Sequence, residues 1–248
     1  MNILLLDIET APNQAYVWRL FDTTVGIDML LESHYILCWS AKWLGKDDVI
    51  FDSKQYKSTS RMLKGIHDLL DQADAVIHYN GKKFDIPHLN REFLLNGYSP
   101  PSPYKQIDLR DTAKTVFRFP SNKLQQVAKE LGVGEKIKHD GFELWVGCIK
   151  NDKESWRKMQ EYNIQDVLLL EKVYEVMKPW VKFHPNQNLY SDGTQLLCPV
   201  CGGTHLHKRG FAKTLASVYQ RYICVDCGHW SKDNKILNKK QFKATSAV

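Results

Sequence analysis

The first ten residues, MNILLLDIET, place two acids at the end of an apolar run. Such a run is typical of a buried strand, in which successive side chains point to opposite faces. Asp7 and Glu9 are two positions apart, so both carboxylates leave the same face of the predicted strand. Adjacent carboxylates repel each other unless a cation lies between them, so the pair predicts a divalent metal site. A solvated strand end is the alternative, and the pair alone does not decide between the two.

The rest of the chain has the pattern of an α/β domain, in which strands come first and then alternate with helices. A short apolar run at 75–79, bounded by Asn80-Gly81, predicts a buried strand parallel to the first. Residues 11–32 predict a loop with one short helix, and the polar segment 136–141 is expected to be mobile. The other predicted strands are 35–44, 49–51 and 106–109, and the predicted helices are 59–72, 84–96, 121–131 (capped by Ser121) and 152–177.

Two further acids lie where these elements begin or pack. Asp85 follows the strand at 75–79 and begins the next helix, where it also fits the pattern of a capping residue. Asp166 shares a helix face with Tyr162 and with the apolar residues Met159, Leu170 and Val173. An acid within an apolar stripe needs a partner, which is either a metal or a basic residue from elsewhere in the chain.

Three segments, DIET at Asp7, NGKKFD at Asn80 and YNIQD at Tyr162, resemble in order and spacing the exonuclease motifs of the DEDD superfamily. The motif NGxxFD is shared with the proofreading exonuclease domain of family B DNA polymerases, to which the resemblance is closest. Tyr162 lies four residues before Asp166 and Glu161, not a histidine, lies five before it, which is the tyrosine pattern of the superfamily. The resemblance covers roughly residues 1–177, and the roughly 70 remaining residues are too few for a polymerase.

The resemblance implies a ribonuclease H-like mixed sheet flanked by helices and the removal of nucleotides from 3′ ends. It also implies two Mg²⁺ or Mn²⁺ ions, which in such sites lie about 3.5–4 Å apart. Asp7, Glu9 and Asp166 would hold one ion, and Asp7 directly and Asp85 through water would hold the other. Tyr162 would orient or deprotonate the attacking water.

The same resemblance implies four substrate contacts, each with a structural alternative. Thr10 would contact the terminal nucleotide, or it is simply a polar strand end. Asn80 and Phe84 would hold or stack the 3′ end, or they are a turn residue and a core residue. Lys123, in SNKLQQVAKELGV, would meet phosphate, or it is a solvated lysine.

Two C-x2-C pairs, Cys198/Cys201 and Cys224/Cys227, are separated by 22 residues, and a glycine follows each pair. This spacing is that of a zinc ribbon with one structural Zn²⁺, rather than a redox dithiol or an iron–sulfur cluster. The segment between the pairs carries cations interleaved with aromatic residues, which favours nucleic-acid contact, with protein docking as the alternative. Those residues are Lys208, Arg209, Phe211, Lys213, Tyr219, Arg221 and Tyr222.

The net charge of +6 is distributed unevenly. From Lys178 onward there are 11 Lys and Arg against three Asp, a net charge of +8, whereas the residues before it carry −2. A basic end fits a polyanionic partner, although solubility alone would also explain it. The predicted domains are a nuclease domain at 1–178, a linker at 179–193, the ribbon at 194–238 and a disordered tail at 239–248. Without an apolar run of membrane length or a signal-peptide pattern, a cytoplasmic location and no membrane contact are expected.

Together these features predict a metal-dependent 3′-5′ exonuclease that acts on single-stranded DNA or frayed 3′ ends and releases nucleoside monophosphates. The alternatives are the same chemistry on RNA, or a catalytically idle nucleic-acid-binding protein. A third reading makes the ribbon a docking module for a replication or repair protein.

Overall fold

A computed structural model of the protein describes residues 1–137 and 141–238. The predicted disordered tail at 239–248 and part of the predicted mobile segment at 136–141 lie outside the described residues. The chain divides into two compact units. The main unit is Asn2–Glu175, and the second unit begins at Val176 and includes Met1.

The main unit is built on a five-stranded sheet with the order β5-β4-β1-β6-β7. The strand β1 lies at its centre because its residues Leu4, Leu5 and Leu6 are apolar on both faces and are fully buried. Pairing is antiparallel on the β4 side and parallel on the β6 side, so the predicted mixed sheet is confirmed. The strands are β1 Ile3–Thr10, β2 Gln14–Ala15, β3 Leu30–Glu32, β4 Ile36–Trp43, β5 Val49–Ser53, β6 Ala75–His78 and β7 Lys105–Asp108, of which β2 and β3 form a separate pair.

Helices cover both faces of this sheet. They are α1 Thr59–Asp71, α2 Asp85–Leu95, α3 Leu109–Val116, α4 Leu124–Glu130, α5 Phe142–Ile149 and α6 Lys153–Met177. The predictions of α1, α2, α4 and α6 are confirmed, whereas α3 and α5 were not predicted. The prediction of a Ser121 cap is wrong, because the N-cap of α4 is Lys123.

Alternation along β1 determines which helices meet its acids. Leu4, Leu6 and Ile8 pack into the core that α1 and α2 form on one face. Side chains of a strand alternate, so Asp7 and Glu9 lie on the opposite face. On that face Cys38, the residue of β4 opposite Glu9, packs with residues of α5 and α6. The two acids of the first strand therefore face the helix that carries Tyr162 and Asp166.

The second unit contains a three-stranded antiparallel sheet with the order β10-β9-β8. Its strands are β8 Leu206–Lys213, β9 Val218–Cys224 and β10 Trp230–Ile236, and two 3-10 helices, Lys178–Trp180 and Gln187–Tyr190, precede them. A small core surrounds Cys198, Val200 and Cys224. In the described parts of the chain, no helix combines the length and the apolar character needed to cross a membrane.

Candidate active site

The carboxyl end of β1 extends beyond its parallel neighbour. The register with β6 ends where Leu5 lies opposite Ile77, and Ile8 lies further along the strand. The backbone N–H of Ile8 donates instead to Oδ1 of Asp85, over 3.1 Å. Asp85 is buried in the first turn of α2, where the helix dipole favours a negative charge. This hydrogen bond holds the third acid against the strand that carries the first two.

The loop from β6 to α2 is shaped by two residues of the NGKKFD motif. Asn80 adopts a left-handed conformation with φ of 72°. A Cβ atom on Gly81 would lie 2.3 Å from Cγ of the buried His78, so the close approach requires glycine. The loop is held by Asp108, whose carboxylate accepts the backbone N–H groups of Asn80 at 2.9 Å and Lys82 at 3.3 Å. Asp108 was not predicted as a site residue, and it positions the loop without touching the acids.

The helix α6 brings three polar side chains of the YNIQD motif to the acids of β1. Tyr162, Asn163 and Asp166 are all buried, although they lie on a helix with an apolar face. Nδ2 of Asn163 donates to Oδ2 of Asp7 over 2.7 Å. The sequence analysis did not assign a role to Asn163, which orients the Asp7 carboxylate.

Three of the predicted metal ligands converge. One carboxylate oxygen from each of Asp7, Glu9 and Asp166 lies within 4.8 Å of the others. Asp85 lies outside this group of three, but its charge still acts on Asp7 and raises the pKa of that carboxyl. The structure therefore brings all four predicted acids to one end of β1, with three of them in ligand range of a common point.

Burial and mutual repulsion make this cluster unfavourable for negative charge. Burial, followed by the charges of Asp166, Asp85 and Glu9, raises the pKa of Asp7 well above its usual range. Burial and then Asp166 raise the pKa of Glu9 to about 8. Burial raises the pKa of Asp85 to about 6, partly offset by His78. A divalent cation would relieve this repulsion, and an all-oxygen donor set fits Mg²⁺ or Mn²⁺ better than softer metals.

Lys136 is the basic partner of Asp166. Its ammonium group forms an ion pair with Oδ2 of Asp166 and donates to the Tyr162 hydroxyl over 3.2 Å. Burial lowers the pKa of Lys136, but the nearby Asp166 and Tyr162 outweigh burial and raise it overall. The lysine falls in the segment that was expected to be mobile. The sequence signal for Lys136 was indirect, because a buried Asp166 requires a metal or a basic partner.

Trp145 of α5 contacts both sides of the site. Its side chain, which carries a single N–H donor, forms a hydrogen bond with Glu9. Its ring also meets the Tyr162 ring edge-on, with centroids 6.1 Å apart. Because α5 was not predicted, Trp145 was not identified from the sequence.

A cavity of about 700 Å³ opens onto the cluster. Of the predicted substrate contacts, Asn80 and Lys123 line it, together with Asp7, Tyr162 and Lys136. Arg110, which was not predicted, also lines the cavity and donates to Oδ1 of Asn80 over 2.9 Å. The cavity thus combines the carboxylate of Asp7 with the basic side chains of Arg110, Lys123 and Lys136.

The other two predicted substrate contacts are not among the described residues that line this cavity. Thr10 is half-buried at the end of β1, next to an irregularity in the register with β4. Phe84 is 38% exposed, and its ring lies against His88 with centroids 4.4 Å apart. Phe84 is therefore a surface residue, and the core alternative is wrong.

The four predicted zinc ligands also converge. The sulfur atoms of Cys198, Cys201, Cys224 and Cys227 lie within 4.8 Å of one another. The Sγ atoms of Cys198 and Cys227 are 3.7 Å apart, and those of Cys201 and Cys224 are 3.6 Å apart. A tetrahedron with zinc–sulfur bonds of about 2.3 Å has edges of about 3.8 Å, so this group fits Zn²⁺. Gly202 and Gly228 adopt left-handed φ angles of 72° and 80° directly after the two pairs, where the tight turns require glycine.

The mixed sheet, the helices on both of its faces and the acids on its central strand are those of a ribonuclease H-like fold. A comparison with family models supports this assignment. The chain belongs to the RNase_H superfamily, since the family RNase_H_2 matches residues 33–178. Among solved structures, the chain is similar to the family B DNA polymerase from the hyperthermophilic archaeon Pyrobaculum calidifontis, with a TM-score of 0.56 and 16% identity. The match covers 72% of this chain and 24% of the polymerase chain, so the likeness confirms the predicted fold. No curated protein matches the sequence.

Proposed function

We propose that this protein is a metal-dependent 3′-5′ exonuclease that cleaves single-stranded DNA or frayed 3′ ends and releases nucleoside monophosphates. The RNase_H superfamily fold supports nuclease activity in general. The observation that carries the finer proposal is the convergence of Asp7, Glu9 and Asp166 beside Tyr162, at the mouth of a cavity. A catalytically idle binding protein would have no need to keep these mutually repelling acids together, two of them half-buried and Asp166 buried.

The proposed metal site consists of Asp7, Glu9 and Asp166, with Asp85 contributing to a second position next to Asp7. When bound there, two Mg²⁺ or Mn²⁺ ions would make a water nucleophilic at neutral pH and neutralise the charge on the leaving 3′ oxygen. Asn163 keeps one Asp7 oxygen turned in a fixed direction through its 2.7 Å hydrogen bond. Asp85 is fixed by the Ile8 N–H, so each of these two acids has a defined orientation before substrate arrives.

Tyr162 and Lys136 act on the attacking water. Burial, then the charges of Asp166 and Glu9, raise the pKa of Tyr162, so its hydroxyl keeps its proton at neutral pH. A protonated hydroxyl supports an orienting role, in which Tyr162 positions the water by a hydrogen bond. Lys136 donates to the same hydroxyl, so the hydroxyl oxygen accepts from the ammonium group and its own proton remains available to another acceptor.

The basic wall of the cavity supports the assignment of substrate contacts. Lys123 and Arg110 line the cavity and are proposed to meet phosphates of the strand that enters it. Asn80 accepts from Arg110 and is proposed to hold the 3′ end. Phe84 has an exposed ring, on which a base of the 3′ end is proposed to stack, and Thr10, which follows Glu9 directly, is proposed to contact the terminal nucleotide.

The test uses oligonucleotides labelled at the 3′ or the 5′ end, in DNA and RNA form, incubated with the purified protein and Mg²⁺ or Mn²⁺. We expect stepwise shortening from the 3′ end, faster on single-stranded DNA than on RNA. The variants Asp7→Asn and Asp166→Ala should lose at least about a thousandfold in rate, because each removes a ligand that charge neutralisation depends on. Glu161→Gln is the matched control, since Glu161 lies on the same helix but is exposed and paired with Arg157. Internal cuts, or cleavage that survives Asp7→Asn, would contradict the proposed mechanism.

A further inference from the structure

The sheet of the second unit has two chemically different faces. In β9, Tyr222 and Cys224 point toward the cysteine cluster, and both are buried. Because side chains alternate along a strand, Tyr219, Arg221 and Ile223 point to the other side. This second side is turned away from the zinc ligands.

On that side, cations and aromatic rings alternate across two strands. The register places Lys232 of β10 opposite Arg221, and Trp230 opposite Ile223. The Arg221 guanidinium lies 4.7 Å from the centre of the Trp230 ring, and the Lys232 Nζ lies 4.0 Å from the centre of the Tyr219 ring. We call Tyr219, Arg221, Trp230 and Lys232 the outer face. Each cation is held on a ring, so the side chains are ordered before any ligand binds.

The charge of the outer face is purely positive. Arg221 and Lys232 are exposed, and Trp230 is 48% exposed. The three acids of the described part of the second unit are engaged elsewhere. Asp233 accepts from the Tyr222 hydroxyl on the cysteine side, Asp226 contacts His205, and Asp192 accepts from Thr194. A polyanion that approaches the outer face therefore meets cations without an opposing carboxylate.

We infer that the outer face binds single-stranded nucleic acid. Cations at a spacing set by a sheet attract phosphates, and exposed rings beside them stack on unpaired bases. An acidic protein partner would also contact the two cations, and the salt dependence and the stacking variants below distinguish it from nucleic acid. The inference rests on the proposed function only for the origin of the ligand, which would be the single-stranded part of the substrate.

The structure also revises which ribbon residues make this contact. Of the cations and aromatic residues between the cysteine pairs, Tyr222 is buried on the cysteine side. Lys208 lies opposite Tyr222, and Lys213 lies opposite Val218, so both point to that same side. Trp230 and Lys232 come after the second pair of cysteines, so the sequence analysis did not include them.

The test compares two double variants of the full chain that remove equal charge from opposite faces. Arg221→Ala with Lys232→Ala changes the outer face, and Lys208→Ala with Lys213→Ala is the matched control. Binding of a fluorescein-labelled oligothymidylate is followed by anisotropy, without Mg²⁺ or Mn²⁺ so that the probe stays intact. We expect the outer-face variant to raise the Kd about tenfold and to reduce the slope of log Kd against log salt by about 1.4, which corresponds to two lost phosphate contacts. The control should change the Kd less than about threefold.

A second pair separates stacking from charge. Trp230→Ala should weaken binding by at least about fivefold, whereas Trp230→Phe keeps a stacking ring and should bind nearly as the unchanged protein does. Phe211→Ala is the control, because Phe211 is 55% exposed but lies opposite Gln220, on the cysteine side. Zinc content is measured for every variant, and the outer-face double variant carries the test if Trp230→Ala loses zinc. An unchanged Kd for the outer-face double variant, or an equal loss in both double variants, would overturn the inference and favour protein docking.

Cleavage of a dinucleotide in Mn²⁺ distinguishes this inference from the proposed function. The outer face and the proposed nuclease site belong to different units, and a dinucleotide offers a single phosphodiester, so outer-face variants should cleave it at the unchanged rate. If no substrate is cleaved but outer-face variants still lose oligothymidylate binding, the proposed function fails and the binding face stands. If cleavage occurs and the outer face has no effect on the Kd, the reverse holds.

Discussion

Lys136 links two of the predicted catalytic residues through one ammonium group. It pairs with Asp166, contacts the Tyr162 hydroxyl, and lowers the pKa values that burial raises in Asp7 and Glu9. A cation at this position reduces the repulsion among the acids and holds the tyrosine hydroxyl by a hydrogen bond. In the proposed mechanism, both effects would act on the attacking water.

We predict that Lys136→Met lowers kcat by about 10- to 100-fold, because the orientation of Tyr162 is lost. The same change should raise the affinity for Mn²⁺, since the ammonium competes with a metal for Asp166. Steady-state cleavage of a labelled oligonucleotide and calorimetric Mn²⁺ titration measure the two effects. Lys129→Met is the control, because Lys129 lies on the surface and pairs with Glu135. A kcat equal to that of the unchanged protein would show that Lys136 only balances charge.

At this scale the sequence predicted the acids because short motifs carry them at fixed spacing. Strand alternation places Asp7 and Glu9 on one face, and the resemblance of the three motifs favours a metal site there over a solvated strand end. Asp166 stood out as an acid on an apolar helix face. Lys136 and Trp145 act across the fold, from segments without a distinctive pattern. No local rule connects residue 136 with residue 166, so only the assembled structure shows that they meet.

Among the elements, the loop between β6 and α2 determines where Asp85 lies. The loop turns within a few residues because Asn80 is left-handed and Gly81 packs directly on the His78 ring. Its backbone is secured by Asp108, which also caps α3. The side chain of Asp108 therefore links the loop before α2 to the first turn of α3.

We predict that Gly81→Ala destabilises the protein by about 1–3 kcal/mol, because the new methyl group overlaps the buried His78 ring. Cleavage should also fall, since a displaced loop moves Asp85 away from Ile8. Thermal unfolding gives the stability, and the labelled-oligonucleotide assay gives the rate. In a double-mutant cycle with His78→Ala, removal of the ring should recover part of the loss. Strictly additive effects would show that the overlap is not the cause.

Most elements could be predicted from periodicity, and the exceptions have local causes. The strand predicted at 106–109 ends at Asp108, because that residue caps α3 and Leu109 already begins the helix. Because no residue separates the strand from the helix, the sequence does not mark where the two-residue period of the strand gives way to the 3.6-residue period of the helix. Helix α5, with the sequence FELWVGCI, is apolar over most of its length, so it shows no polar face from which a helical period could be read.

For the whole molecule, the two units differ in charge and in the source of their stability. The main unit has a core on both faces of its sheet, whereas the core of the second unit is little more than the cysteine cluster and its neighbours. So small a core supplies little folding free energy, and a zinc ion bound by the four cysteines would supply the rest.

We predict that Cys224→Ser removes the one equivalent of zinc and unfolds the second unit, while the main unit still cleaves a dinucleotide in Mn²⁺. Metal analysis and amide NMR spectra would report the two units separately, and retention of long oligonucleotides at moderate salt should fall. Cys148→Ser is the control, since Cys148 is buried in the main unit and should not change the zinc content. Retention of a full equivalent of zinc by Cys224→Ser would rule out the predicted ligand set.

The proposed site draws its acids from β1 and from α6, which are the first and the last of the elements in the sequence of the main unit. During synthesis, Asp7 leaves the ribosome long before Asp166, and a domain folds as a unit only when its chain is nearly complete. Until α6 packs on the sheet, the emerging chain carries Asp7 and Glu9 without the residues that would complete the site. The proposed nuclease would therefore be inactive throughout its own synthesis and would become active only as a finished fold.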